Sequence, residues 1–281
     1  MTKAEKEKLI AEREKQWEEL FRFQVSEENR VACIPFVLEC QRMTEIGETY
    51  AGQVQIIYDK LTTESARVEY SKGGTIHRGY YCPSPTQDIV VGRTDRGRLL
   101  KRVTAATEPD YRYWFNADGQ LVAVDSYFDF SKDMISLKEI ILYQDGKELG
   151  ILFSVNSGMI IRISECTRRN GQLISYSIIA SGFPAYCEYN REDYCYTEDR
   201  LSTVDWYTFT RMDAKTFLSF SNSLYGTNES YYPNLQHYRY TFIHDEEGYL
   251  SKYTSSRFKS TGECIGDDSE SDVPSKIKRR V

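Results

Sequence analysis

Apolar side chains in the first 30 residues return at helical spacing. Leu9, Ile10, Trp17, Leu20 and Phe21 share one face with Gln24, against a background of Glu, Lys and Arg without Gly or Pro. This period predicts an amphipathic helix from residue 3 to about residue 30, read as a brace on the body of the protein. Its mixed charges (Glu5/Lys8, Glu18/Arg22) are ordinary helix-face support, and the stripe is too short for a coiled coil. From Cys33 to Tyr70 the pattern fits a second helix or a strand pair. Ile46, Tyr50, Val54, Ile57, Tyr58 and Leu61 make a helical stripe, which Gly47 and Gly52 weaken by ~1 kcal/mol each. Ala66–Tyr70 alternates like a strand.

Beyond Gly74 a period of two takes over. Runs such as Ile140-Ile141-Leu142-Tyr143, Ile151–Val155 and Met159–Ile163 have strand length. Between such runs lie turn signals, among them Asp118-Gly119, Asp145-Gly146 and Asn170-Gly171, which supply the positive φ angles of tight hairpins. The expected fold is mainly β: a large twisted antiparallel meander of serial hairpins, open or partly closed, with an N-terminal amphipathic helix. The expected organisation is a helix at 1–31, a β-hairpin domain at 32–262, and a polar, poorly ordered tail at 263–281.

Two segments share one plan. Tyr111-Arg112-Tyr113-Trp114-Phe115 runs through Asp118-Gly119 into Leu121–Val124, and Tyr238-Arg239-Tyr240-Thr241-Phe242 runs through Asp245–Gly248 into Leu250–Tyr253. Echoes of the outgoing half follow Gly97, Gly171 and Asp199. Alternation assigns Val122, Val124, Phe128, Ile174, Tyr176, Ile178, Val204, Trp206 and Tyr253 to a core face. It assigns Ala123, Asp125, Tyr127, Ser175, Ser177, Thr203, Asp205, Tyr207, Lys252 and Thr254 to a wet face. The leucines of the repeats (Leu121, Leu173, Leu201, Leu250) begin the wet face and are expected to pack at the sheet end. Asp125-x-Tyr127 and Asp205-x-Tyr207 then stand at equivalent exposed positions, where a carboxylate beside a ring suits a partner's Lys or Arg.

The net charge of −6 lacks the basic footprint of a nucleic-acid binder. It suits a basic partner. The 22 tyrosines fit half-exposed sheets and recognition surfaces alike. Seven cysteines without a Cys-x-x-Cys pair indicate neither a disulfide framework nor a zinc knuckle, although Cys187 and Cys195 could form a hairpin pair. No apolar export segment follows Met1 and no membrane-length apolar run occurs, so the expected compartment is the cytoplasm.

Chemistry is sparsely signposted. His237 and His244 are expected on opposite faces of one strand, and His77 has only Cys82 near it in sequence. No calcium loop, phosphate-cradling loop, nucleophile elbow or zinc-protease motif is present. The reading is therefore a protein without enzymatic activity, cofactor or metal.

The Tyr-x-Tyr-x-Phe, Asp-Gly, x-Leu-x-x-Val/Tyr pattern at 111–124 resembles the YD repeats of Rhs-type bacterial proteins. The resemblance covers 111–128 and 238–258, with partial echoes at 97–103, 171–179 and 199–207. It implies hairpins that wind one large sheet, which in that family forms a shell around a toxin domain. The family's Tyr-Asp dipeptide occurs here only at Tyr58-Asp59, and this chain is too short to enclose a cargo. Its small, acidic, motif-poor character instead suggests an immunity-type protein that binds one protein partner, a bacterial toxin, through Asp125, Tyr127, Asp205 and Tyr207. Two alternatives stand beside it. One is a carbohydrate- or lipid-like ligand binder whose cavity is lined by Trp114, Trp206 and Tyr253. The other is an enzyme with an unrecognised site.

Overall fold

Ser26 sets the start of the first described helix: its backbone is extended and its hydroxyl accepts from the Asn29 N–H at 3.2 Å, a side-chain N-cap. The computed structural model describes residues 26–76, 84, 86, 97–104, 106–129, 132, 134–182, 186–212, 234–266 and 269–273. Helix α1 spans Glu27–Tyr50 and α2 spans Val54–Thr63, separated by a turn in which Gly52 takes a φ of 75°. The helical reading of 46–61 holds, and the alternating segment after it becomes strand β1 (Arg67–Lys72). The expected boundary at residue 31 is corrected, because it cuts through α1; residues 1–25 of that expected helix lie outside the described residues.

The remaining strands are β2 (Arg98–Leu99), β3 (Tyr111–Phe115), β4 (Leu121–Asp129), β5 (Met134–Gln144), β6 (Lys147–Ser154), β7 (Ile160–Arg169), β8 (Gln172–Gly182), β9 (Tyr186–Thr197), β10 (Arg200–Met212), β11 (Asn234–His244), β12 (Leu250–Phe258) and β13 (Ser269–Asp272). All thirteen described strands form one open antiparallel sheet, in which β3 to β13 follow chain order and β1 pairs with both β2 and β3. The expected mainly β meander is therefore present. Both edges are very short strands, a common guard against edge-to-edge pairing. The tail boundary is also corrected. Ser269–Asp272 pairs with Lys252–Ser255, and Val273 is buried in the core.

Tight turns set the register. Asp145-Gly146, Asn170-Gly171 and Glu198-Asp199 all have positive φ at both positions, the geometry that matches strand twist in two-residue hairpins. A second device recurs at all four leucines of the sequence repeat. Pairing jumps by one residue between Leu121 and Ala123, Leu173 and Ser175, Leu201 and Thr203, and Leu250 and Lys252. Each jump is a β-bulge. It turns the leucine to the face that carries Val124, Tyr176 and Val204 rather than the wet face, and all four leucines are buried. Strict alternation had no means of showing this.

Two cores result, one on each side of the sheet. On one face α1 and α2 cover Ala123, Ile140, Ile151, Phe153, Ile163, Ile179, Tyr189 and Phe209. Gly47 marks a close approach: a Cβ there would lie 2.8 Å from Cδ1 of Ile163. Arg42 ties α1 to β7 through Glu165 at 2.5 and 2.9 Å. The other face buries Tyr113, Phe115 and Val124 at one end of the sheet, and Tyr176, Tyr194, Val204, Tyr240 and Phe242 at the other. The face that carries Val124, Tyr176, Val204 and Tyr253 is thus a core face, as alternation predicted. The opposite face is wet only where the described helices do not reach.

Candidate functional site

The helix-bearing face of β8–β12 carries two rungs just beyond α1. One runs Ser177, Arg191, Tyr207, His237, Phe258; the next runs Ser175, Asp193, Asp205, Arg239, Ser256. Pairing register alone brings these side chains together, because every second residue of a strand shares a face.

In the first rung the His237 ring lies between two aromatic rings. Its centroid is 4.4 Å from that of Tyr207 and 4.8 Å from that of Phe258, both stacked. Phe36 of α1 packs on Tyr207 at 5.4 Å, which links this stack to the helix-covered core. His237 Nε2 lies 2.7 Å from Asp205 Oδ1. A carboxylate only accepts, so this nitrogen carries the hydrogen.

Arg239 grips the same carboxylate with Nε at 2.9 Å and its terminal nitrogen at 3.1 Å, the two-point geometry characteristic of guanidinium–carboxylate pairs. Burial alone would raise the Asp205 pKa, but the bonds from His237 and Arg239 outweigh it and hold the acid below its ordinary value. Neighbouring charges also pair off, Arg191 with Asp193 at 3.0 Å and Lys252 with Glu270 at 2.6 Å. The face is therefore polar, aromatic at one end and locally neutral. About 22% of the Asp205 side chain reaches solvent.

Asp125 is a different case, and its expected exposure is corrected. It is fully buried beneath α2, where it accepts from the Tyr58 hydroxyl, Arg112 Nε at 2.6 Å and Trp114 Nε1 at 3.0 Å. Burial and the adjacent Asp125 charge push the Tyr58 hydroxyl pKa well up. Arg112 also lies 5.5 Å from the Tyr127 ring, so Tyr127 packs on the same guanidinium that Asp125 holds beneath α2. Alternation placed Asp125 on the correct face but did not foresee the helix over it.

The aromatic set proposed to line a cavity is divided. Trp206 packs on Tyr238 and Tyr240 at 5.9 and 6.1 Å, and Tyr253 on Tyr240 at 6.1 Å, all on the face opposite the helices. Trp114 lies on the helix-bearing face, so the three do not line one cavity. A cavity of about 310 Å³ lies instead at the β5–β6 turn, lined by polar side chains including Gln120, Lys147, Glu148 and Arg168.

The remaining chemical expectations resolve briefly. His237 is on the helix-bearing face and His244 pairs opposite the buried Leu250, so the two point to opposite sides. Among the described residues no three His, Cys, Asp or Glu side chains cluster as a metal site would require. Cys187 and Cys195 occupy the single strand β9, which excludes the suggested disulfide between them. His77 and Cys82 lie outside the described residues. No helix among the described residues is long and apolar enough to cross a membrane.

Sequence reading missed the two cations. Arg112 and Arg239 are the central residues of the two Tyr-Arg-Tyr strands, and each stands directly across from the Asp of an Asp-x-Tyr strand. The signal was present as a repeated arginine, but it becomes a pair only once strand register is known. Compared with known proteins, the chain matches no protein-family model, and no curated protein is significantly similar to it.

Proposed function

We propose that the chain is a non-enzymatic protein-binding module of the cytoplasm, whose sharpest form is an immunity-type protein that neutralises a bacterial toxin. The observation that carries this reading is the pair of rungs on β8–β12 that no described helix covers. They present Asp205, Tyr207, His237, Arg239 and Phe258 on a rigid sheet roughly 19–24 Å wide. Arginine and aromatic side chains in pre-organised positions are the groups that anchor protein interfaces.

The charge pattern refines the expected partner. Local charges are neutralised in pairs, so contact energy at the face comes from rings and hydrogen bonds. The chain's net charge of −6 favours the approach of a basic partner. The ligand-binder alternative loses its support with the division of Trp114 from Trp206 and Tyr253 across the two faces.

The test is protection of a bacterial host co-expressing this chain with a toxin encoded beside it. Survival with the wild-type chain, and its loss with Asp205→Lys, is the expected result. Death of the host despite well-folded wild-type protein would overturn the reading.

A further inference from the structure

The sheet builds one side-chain arrangement twice on its helix-bearing face. Asp125 faces Arg112 directly across a strand pair and also accepts from the ring N–H of Trp114, two residues along from that arginine. Asp205 faces Arg239 directly across a strand pair and also accepts from the ring nitrogen of His237, two residues along from that arginine. The order along the strand is reversed: Trp114 follows its arginine by two residues and His237 precedes its own by two. Each carboxylate has a tyrosine two residues on, Tyr127 and Tyr207.

The two differ in what lies above them. A helix, α2, crosses the first and lowers the Tyr58 hydroxyl onto Asp125, which has no solvent exposure. Above the second no described helix lies, and Asp205 remains partly open to solvent. We propose that the Asp205 arrangement is a second helix seat, and that it receives an amphipathic helix of a partner protein that presents a tyrosine. This inference rests on the protein-binding reading above and specifies the chemistry of the partner.

The spacing fits. Helix α1 covers the rung Tyr189–Phe209–Leu235, and the rung Asp193–Asp205–Arg239 lies four residues further along the strands, about 13 Å away. Packed helix axes sit roughly 8–10 Å apart. A third helix placed beside α1 would therefore have its axis between the Tyr207–His237–Phe258 stack and the Asp205 rung, with its outer flank over Asp205. The interface would continue the one α1 already makes through Phe36 and Tyr207. A carboxylate has about four acceptor directions, and His237 and Arg239 take three at Asp205, so a tyrosine hydroxyl can be accommodated without displacing either. The residues that precede α1 contain no tyrosine, which points away from them as the source.

The probe is a side-chain-stapled helical peptide with the sequence of Val54–Thr63, titrated into the full-length, isotope-labelled protein and followed by amide chemical shifts. The expected result is binding in the range of about 0.1–1 mM, with shifts centred on Asp193, Asp205 and Arg239. The Tyr→Phe peptide should bind about tenfold more weakly, and Asp205→Asn should remove that difference. Shifts confined to other surfaces, equal affinity of the Tyr and Phe peptides, or no shift at millimolar peptide would each overturn the proposal. Failure here is distinct from failure of the protein-binding reading. A host protected by the wild-type chain and not by Asp205→Lys would keep that reading even if the peptide does not bind.

Discussion

Replacing Asp125 with alanine separates a buried structural cluster from a solvated surface carboxylate. The substitution leaves the Arg112 guanidinium, whose side chain is only 19% exposed, without its carboxylate. It also leaves the Trp114 N–H and the Tyr58 hydroxyl without the acceptor they share. Breaking a buried pair by removing one member costs roughly 3–5 kcal/mol, a large part of a typical domain's 5–15 kcal/mol. Tyr58→Phe removes a single bond to a charged acceptor and should cost about 1.5–3 kcal/mol. In the Asp125→Ala background the same Tyr58→Phe change should cost almost nothing, because its acceptor is already gone. The coupling between the two sites is then about 1.5–3 kcal/mol. Urea unfolding followed by far-ultraviolet circular dichroism measures all four proteins, with an unchanged denaturant slope as the check on two-state behaviour. A cost below about 1 kcal/mol for Asp125→Ala would mean that the carboxylate is solvated, and the account of how α2 is held would fall.

Three further outcomes follow from the geometry. Asp205 has its pKa lowered in the folded state, so its stabilising contribution is complete at neutral pH and is lost as pH falls below the ordinary 3.8; an acid titration of the urea midpoint should be shallower in Asp205→Asn than in wild type. His244 is held below its ordinary 6.5, by burial first and then by Arg200, against a smaller opposing effect of Asp245. The unfolded chain therefore takes up the His244 proton more readily, stability declines as pH falls below 6.5, and His244→Asn should flatten that part of the pH profile. The β9–β10 turn places Glu198 and Asp199 at φ of 51° and 61°, a region costly for residues other than glycine. The double change Glu198→Asn with Asp199→Gly should raise the thermal midpoint, by roughly 0.5–1 kcal/mol of stability, in a calorimetric scan.

Period-two runs and Asp-Gly or Asn-Gly turns made the sheet legible, since these are local signals that act within a few residues. The buried state of Asp125 was not legible, because it depends on Tyr58, which is 67 residues away. The bulges were hidden for a related reason: Leu201 and Val204 share a face only because Ser202 is stepped over, and nothing in the residue types announces that step. At the candidate face the sequence identified Asp205 and Tyr207 as neighbours. It did not bring Arg239 and His237 to them, because those residues arrive from β11, across the long connection that follows β10. The polar composition of 263–281 likewise masked β13, a four-residue strand that gains its place by pairing rather than by burying its own side chains.

The chain-ordered neighbours of the sheet have a kinetic consequence. From β3 to β13 each strand meets the one just made, mostly across a short turn, so the entropy of closing each loop is small and assembly can spread by zipping from an early hairpin. Large β proteins are usually slow because their strands pair over long separations. Here the docking of α1 and α2 and the return of β3 to β1 are the distant events, and α1 reaches strands as late as β10. The hairpins from β5 onward can therefore form while later segments are still being synthesised, with the helices closing over a sheet that is already partly built.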